Sequence, residues 1–222
     1  MEQMLLVIAY SYLLGSIPFG LILTKLFTKT DIRKKGSGNI GATNVIRSGS
    51  KILGVITLIL DSFKGYLSVI ITINIFPEYF YLSCLMVFLG HVFSIWLKFK
   101  GGKGVATYLG VLFAFDFILP AIFIISWSVI TLISRYVSLG SIISSLIVLL
   151  YNFLVYGFNN SIIFFAYFVL LIITHKSNLS KLLTGSENKI NLGANATLAV
   201  SLANSKCSAL LNKKSLFKNL GN

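Results

Sequence analysis

The chain alternates long apolar runs with short polar connections. A helix needs about 20 residues to cross a bilayer, so the shorter runs must tilt, thin the bilayer or be only partly embedded. The pattern predicts an all-α polytopic helical integral membrane protein with about seven transmembrane helices, and five crossings are the alternative. The seven apolar runs are Met4 to Leu23, 52–76, 80–97, 105–119, 121–134, 138–155 and 161–174.

The first run contains two residues that disturb a helix. Gly15 and Pro18 lie in its second half. Proline lacks the N–H group that a helix interior needs, and glycine allows the backbone to loosen. We therefore expect the first helix to bend between these residues.

Composition supports a membrane protein. Of 222 residues, 56% are hydrophobic and only 11% are charged. Soluble domains carry about 25% charged residues. A water-soluble globular fold or a disordered chain is therefore excluded.

The charges predict an orientation. The net charge is +13, and the basic residues cluster in the connections 24–51 and 98–104, at Arg135 and after residue 174. Glu2, Glu78 and Asp116 lie at the other ends of the runs. Seven crossings place every basic connection on one face, so the positive-inside rule predicts an external N-terminus and a cytoplasmic C-terminus.

Two charged residues lie within the second apolar run. Asp61 and Lys64 are three residues apart and share a helix face. A buried pair would line a polar site in the cytoplasmic half of the protein. Alternatively, the helix begins later and both residues lie near the interface.

Two basic connections are rich in glycine. One reads Gly-Ser-Gly-Asn-Ile-Gly-Ala-Thr-Asn over residues 36–44, and the other contains Gly-Gly-Lys-Gly at 101–104. Glycine lets backbone N–H groups converge on an anion, and each connection leads into a helix start, which favours phosphate. The sequence thus predicts a site for two phosphate groups, although flexible basic connectors remain an alternative.

Other chemistries find no support. Gly36, Gly38 and Gly41 match a dinucleotide-binding spacing, but the basic residues before them cannot form the required buried strand. No His, Cys or carboxylate cluster has metal-ligand spacing, and no protein nucleophile is evident. We expect no metal, no cofactor and no nucleic-acid partner.

Three regions resemble the signature motifs of the bacterial acyl-phosphate:glycerol-3-phosphate acyltransferases of the PlsY type. They are the loop 36–44, the stretch 90–107 that begins Gly-His-Val-Phe, and the segment from His175 through Asn178 to Glu187. The resemblance covers about residues 5–190. One departure is Ser94, since the family commonly has proline there.

The resemblance implies a seven-helix enzyme of the bacterial cytoplasmic membrane with its site on the cytoplasmic side. It implies transfer of an acyl group from acyl phosphate to the 1-hydroxyl of glycerol 3-phosphate, with membrane lipid around it, giving lysophosphatidic acid and phosphate. Oligomeric state cannot be inferred. A transporter of a phosphorylated solute and a noncatalytic membrane scaffold are the alternatives.

The glycine loops and the resemblance together give the candidate site residues. We expect catalytic roles for Ser37, Arg47, Lys103, His175 and Asn178. We expect substrate binding by Gly36, Gly38, Asn39, Gly41, Thr43, Asn44, Lys64, Gly101, Gly102, Gly104, Thr107 and Ser141. We expect supporting roles for Asp61, His91 and Glu187.

Acyl phosphate is already an activated anhydride, so no covalent acyl-enzyme is required. We expect the phosphate of the donor to take the hydroxyl proton, with His175 as the competing base.

Residues 1–190 are expected to form a single transmembrane domain. Residues 191–222 are expected to form a polar, basic and weakly ordered tail.

Overall fold

A computed structural model describes residues 1–190 of the chain. Residues 1–187 form one compact unit, and residues 188–190, without regular secondary structure, belong to a second. Residues 1–190 contain helices and no strand, which confirms the predicted all-α class. The tail predicted for 191–222 lies outside the described residues.

Nine α-helices account for most of the described chain. Three short 3₁₀ turns, at Ile32–Lys34, Pro77–Tyr79 and Ile95–Leu97, lie in the connections. The helices are α1 (Glu2–Ser16), α2 (Phe19–Thr28), α3 (Ala42–Arg47), α4 (Lys51–Ile75), α5 (Phe80–Val92), α6 (Val105–Phe115), α7 (Ile118–Ser134), α8 (Val137–Thr174) and α9 (Lys176–Leu183).

The first apolar run is divided into α1 and α2. The helix ends at Ser16, Ile17 is extended, and Pro18 precedes the first residue of α2. The predicted bend is therefore confirmed as a break. Its cause is Pro18, which cannot donate a backbone hydrogen bond.

The boundary between the fourth and fifth apolar runs differs from the prediction. The run 105–119 was expected to be one helix, but α6 ends at Phe115 and α7 begins at Ile118. Asp116 makes the division, because its Oδ1 accepts a hydrogen bond from the N–H of Leu119 at 2.7 Å. Asp116 thus satisfies a donor in the first turn of α7.

Helix α8 consists of two arms that meet at Gly157. A straight helix of its 38 residues would be about 57 Å long. Yet Val137 at its start and His175 just after its end line the same cavity. The chain must therefore fold back, and it does so at Gly157, whose φ of 80° and ψ of 179° are not helical. The two arms correspond to the runs 138–155 and 161–174.

Within residues 1–190, four spans are long and apolar enough to cross a bilayer: Glu2–Thr28, Lys51–Ile75, Pro77–Leu97 and Val137–Thr174. Two shorter apolar helices, α6 and α7, accompany them. With α8 divided at Gly157, the predicted runs all fall on helices, while the number of crossings and the orientation stay predictions. Phe88, Tyr108 and Tyr167 pack together in the core, fixing α5, α6 and the second arm of α8.

Candidate active site

A cavity of about 380 Å³ lies where the two glycine-containing loops approach the two ends of α8. Both polar and apolar side chains form its walls. The predicted site residues in its walls are Ser37, Asn39, Gly41, Thr43, Asn44, Arg47, Asp61, His91, Lys103, Gly104, Ser141, His175, Asn178 and Glu187. Apolar side chains in its walls include Val55, Leu58, Leu109, Phe123 and Ile124.

The first loop is held in shape by Asn44. Its Oδ1 accepts a hydrogen bond from the N–H of Ser37 at 3.0 Å. Its Nδ2 donates to the carbonyl oxygens of Asn39 at 2.7 Å and Lys35 at 3.0 Å. Because these bonds engage both ends of the amide, Asn44 shapes the loop, whereas the sequence predicted that it binds substrate directly.

Two glycines of the first loop lie outside the cavity walls. Gly36 and Gly38 both have positive φ, at 55° and 73°. A Cβ on Gly36 would lie 2.3 Å from Oδ1 of Asn44. These glycines therefore form the turn and bring Ser37 and Asn39 to the cavity, and the expectation that they contact substrate does not fit their position.

The second loop is attached to the end of α5. The N–H groups of Gly101 and Gly102 donate to the carbonyl oxygens of Val92 at 2.9 Å and His91 at 3.0 Å. These two amides are consequently not available to an anion, contrary to the sequence prediction. A Cβ on Gly102 would lie 2.1 Å from Nε2 of His91, so glycine is required here for close packing.

The second loop nevertheless leads into a helix whose first residues line the cavity. Gly104, with φ of 87°, precedes α6, and Gly104, Val105 and Ala106 all line the cavity. The first N–H groups of a helix have no intrahelical partner and favour an anion. Thr107, also predicted to bind substrate, is fully buried and does not line the cavity.

Lys103 is held by a chain of hydrogen bonds. Its Nζ donates to Oδ1 of Asn178 at 2.5 Å, and Nδ2 of Asn178 donates to Oε1 of Glu187 at 2.6 Å. The Ser138 hydroxyl donates to the same carboxylate oxygen at 3.1 Å. The side chain of Thr174 donates to the carbonyl oxygen of Lys103. These hydrogen bonds thus join the second loop to α8 and α9.

Positive charge is concentrated around Lys103. Burial lowers the pKa of its ammonium group, Glu187 opposes that shift, and Arg47 and Lys181 lower the pKa further. Arg47, in the last turn of α3, lines the same cavity. An anion placed between these mutually repelling cations would stabilise their charged forms.

His175 carries its proton on Nδ1. That nitrogen lies 2.8 Å from the carbonyl oxygen of Leu171, which can only accept, so Nε2 has the lone pair. Burial, followed by the charge of Lys103, lowers the pKa of the imidazole to about 4. His175 is therefore neutral at pH 7 and can accept a hydrogen bond in the cavity wall.

The charged pair of α4 is buried, as the functional interpretation predicted. Nζ of Lys64 lies 2.8 Å from Oδ1 of Asp61, and the two side chains are 3% and 2% exposed. Asp61 and His91 line the cavity, but Lys64 does not. Lys64 instead donates to the carbonyl oxygen of Ile17 at 2.7 Å, so its predicted role in substrate binding does not fit its position.

Sequence reasoning missed Ser138 and Trp127. Ser138 bonds to Glu187, and Nε1 of Trp127 donates to the hydroxyl of Ser141 at 3.2 Å. Ser138 lies three residues before Ser141, in the stretch 134–141 that also resembles the family, but no role was predicted for it. Trp127 lies within an apolar run, where nothing in the sequence marks it. No group of three or more metal-binding side chains occurs within residues 1–190.

Comparisons with known proteins identify the family. The family described as glycerol-3-phosphate acyltransferase matches residues 5–185. The chain belongs to this family. A glycerol-3-phosphate acyltransferase of Pelagibacter ubique (strain HTCC1062) is 53% identical over 190 residues, which are 86% of this chain and 99% of that protein. One from Ehrlichia canis (strain Jake) is 47% identical, over 83% of this chain and 97% of its own.

A solved structure agrees with the family. The crystal structure of PlsY, an integral membrane glycerol 3-phosphate acyltransferase in its glycerol 3-phosphate form, has a TM-score of 0.81 and 38% identity. The match covers 88% of this chain and 98% of that one. The resemblance found in the sequence is confirmed, and the chain is a membrane acyltransferase, which decides against the transporter and the scaffold.

Proposed function

We propose that this acyltransferase uses acyl phosphate as its donor and transfers the acyl group to the 1-hydroxyl of glycerol 3-phosphate. The products are lysophosphatidic acid and phosphate. The related PlsY has been crystallised in a glycerol 3-phosphate form and a lysophosphatidic acid form, which supports this acceptor and this product.

The observation that carries the proposal is the position of two cations in one cavity, one from the end of α3 and one from the second loop. Arg47 and Lys103 both line it, and the remainder of the wall contains apolar side chains of α4, α6 and α7. Each substrate brings a phosphate of nearly two negative charges. Two cations and the start of α6 match two phosphates, and the apolar wall matches an acyl chain.

The reaction needs no covalent intermediate. The 1-hydroxyl oxygen of glycerol 3-phosphate attacks the carbonyl carbon of the donor, and an ester bond forms. The bond between that carbon and the bridging oxygen breaks, and the hydroxyl proton passes to the departing phosphate, which leaves as hydrogen phosphate. Holding the reactants together in this way can contribute about 7–11 kcal/mol.

The environment of His175 favours the donor phosphate as proton acceptor. A base works best when its pKa is near the working pH, and the pKa of His175 is lowered to about 4. With Nδ1–H bound to Leu171, Nε2 is an acceptor in the cavity wall. It can accept a hydrogen bond from the 2-hydroxyl of glycerol 3-phosphate and orient this substrate, so that the single proton of the attacking 1-hydroxyl faces the phosphate. The phosphate oxygen, which is more basic, takes the proton.

The cavity is assigned to the cytoplasmic side of the bacterial inner membrane. Most of its polar residues come from the segments 36–47, 103–106, 137–141 and 175–187, in or beside the basic connections, while Asp61, His91 and Ser128 come from α4, α5 and α7. The positive-inside rule places such connections in the cytoplasm. Seven crossings, with the N-terminus outside, are consistent with this assignment.

The test is an assay of purified protein in lipid nanodiscs, with acyl phosphate and glycerol 3-phosphate as substrates and phosphate release as the readout. Lys103→Met should lower kcat/KM by about 100-fold, since a positioned charge at the reacting phosphate is lost. Lys100→Met is the matched control, because Lys100 lies in the same loop, is exposed and does not line the cavity. Activity with acyl-coenzyme A and none with acyl phosphate would refute the donor assignment.

A further inference from the structure

Lys64 and Asp61 are a buried ion pair that the proposed reaction does not use. The two groups lie 2.8 Å apart. Burying two charges is costly unless each is well paired, and the pair adds little stability over apolar residues of the same size. The contacts of Lys64 therefore indicate a role other than stability.

The second hydrogen-bond partner of Lys64 is a backbone carbonyl group in the break between α1 and α2. Its Nζ donates to the carbonyl oxygen of Ile17 at 2.7 Å. The hydroxyl of Ser94 donates to the neighbouring carbonyl of Ser16 at 2.6 Å. The last carbonyls of a helix lack intrahelical partners, and a cation there also matches the helix dipole. The side chains of Lys64 and Ser94, which lie outside α1, thus bind the carbonyl oxygens of Ile17 and Ser16 at its end.

The break is joined to the first glycine-containing loop through α2. Gly20 packs so closely on this loop that a Cβ would lie 1.9 Å from the carbonyl oxygen of Ile40. Ile40 and Leu21 are buried in the same small apolar cluster. A movement of the start of α2 would therefore displace the loop that carries Ser37 and Asn39.

The break is also joined to the second loop. Ser94 follows the end of α5, and the N–H of Phe99 donates to its carbonyl oxygen at 2.9 Å. The N–H of Gly101 donates to the carbonyl oxygen of Val92 at 2.9 Å. The end of α5 therefore carries both the hydroxyl that holds Ser16 and the loop that leads to Lys103.

We infer that Lys64, held by Asp61, is a positioning residue that fixes the break between α1 and α2 and so sets the spacing of the two phosphate-binding loops. This inference rests on the proposed function. Lys64 touches no substrate, and it acts through the carbonyl of Ile17. Ser94, where the family commonly has proline, performs the same task at Ser16 in this chain.

The test is the double variant Asp61→Asn with Lys64→Met, which removes both charges and leaves no unpaired charge in the interior. Thermal stability, kcat, KM and the dissociation constant of glycerol 3-phosphate by calorimetry are measured in nanodiscs. We expect stability near that of the wild type and a rise of at least about tenfold in KM and in the dissociation constant. A folded double variant with wild-type values of both would overturn the inference.

Ser83→Ala is the matched control. Ser83 is fully buried, and its hydroxyl lies 2.9 Å from that of Ser11, so it joins α5 to α1 away from the break. Its KM should not change, and a rise equal to that of the double variant would contradict a specific role for the break.

Two further measurements keep the inference testable. If the double variant does not fold, Asp61→Leu with Lys64→Met replaces the pair by apolar side chains of similar size, and an unchanged dissociation constant would then overturn the inference. If the wild-type enzyme does not use acyl phosphate, the proposed donor is wrong. The calorimetric binding of glycerol 3-phosphate still tests the positioning role in that case.

Discussion

The orientation of the Asn178 amide should depend on the charge of Glu187. An ionised carboxylate only accepts hydrogen bonds, so Glu187 requires the NH₂ group of Asn178 to face it. The amide oxygen then faces Lys103 and accepts from its ammonium group. Glu187→Gln introduces a donor at this position and permits the amide of Asn178 to flip. Its NH₂ group would then face the ammonium of Lys103.

The size of the effect follows from the bond that is lost. A hydrogen bond to a charged group contributes about 1.5–3 kcal/mol, so losing the hold on Lys103 should lower kcat/KM by roughly 10- to 100-fold. The assay is phosphate release from acyl phosphate and glycerol 3-phosphate. Ser138→Ala is the control, because it removes the other bond to Glu187 without changing the orientation of the amide.

A second substitution provides the decisive comparison. In Asn178→Asp with Glu187→Gln, the carboxylate of residue 178 accepts both from the new amide and from Lys103, so donors and acceptors match again. We expect this double variant to recover most of the lost activity. If Glu187→Gln stays within twofold of the wild type, or if the double variant is no better than the single one, the reasoning is refuted.

Three other predictions concern the loops and helix ends. Because the pKa of His175 is about 4 in the folded protein and 6.5 in the reference state, folding stability should fall as the pH drops from 6.5 to 4, by up to about 3 kcal/mol. The melting temperature of His175→Gln should lack this part of the pH dependence. A variant whose melting temperature depends on pH as that of the wild type does would contradict the prediction. Gly102→Ala places a Cβ 2.1 Å from His91 and should cost about 1–3 kcal/mol by thermal denaturation; a wild-type melting temperature would disagree. Gly157→Ala should also cost about 1–3 kcal/mol, with kcat/KM of the folded enzyme unchanged, and a loss of kcat/KM would show that this turn affects the cavity.

Most of the helices could be predicted because the apolar runs and the helix-breaking residues indicated the same boundaries. The apolar runs and the break at Pro18 have local causes that the sequence displays. The division at Asp116 was missed because a single carboxylate within apolar surroundings has little effect on a hydropathy pattern. Its role as a cap depends on the bond to Leu119, which the sequence does not display.

The site was predictable by its residue types but not by their directions. Glycine, lysine and arginine in two basic loops indicated phosphate, and Arg47 and Lys103 do line one cavity. The sequence could not show that the amides of Gly101 and Gly102 are bound by α5. Nor could it show that Lys64 turns toward Ile17, since this depends on how α1 packs against α4.

We propose that Lys103 and Arg47 bind substrate phosphate in one cavity. Solid-state NMR of the protein in bilayers, with ¹⁵N in lysine and arginine side chains and glycerol 3-phosphate bound, measures it through ¹⁵N–³¹P dipolar coupling. We expect a coupled lysine signal that is absent in Lys103→Met and present in Lys100→Met. A coupled lysine signal that persists in Lys103→Met, or bound ligand without coupling to any lysine or arginine nitrogen, would contradict this.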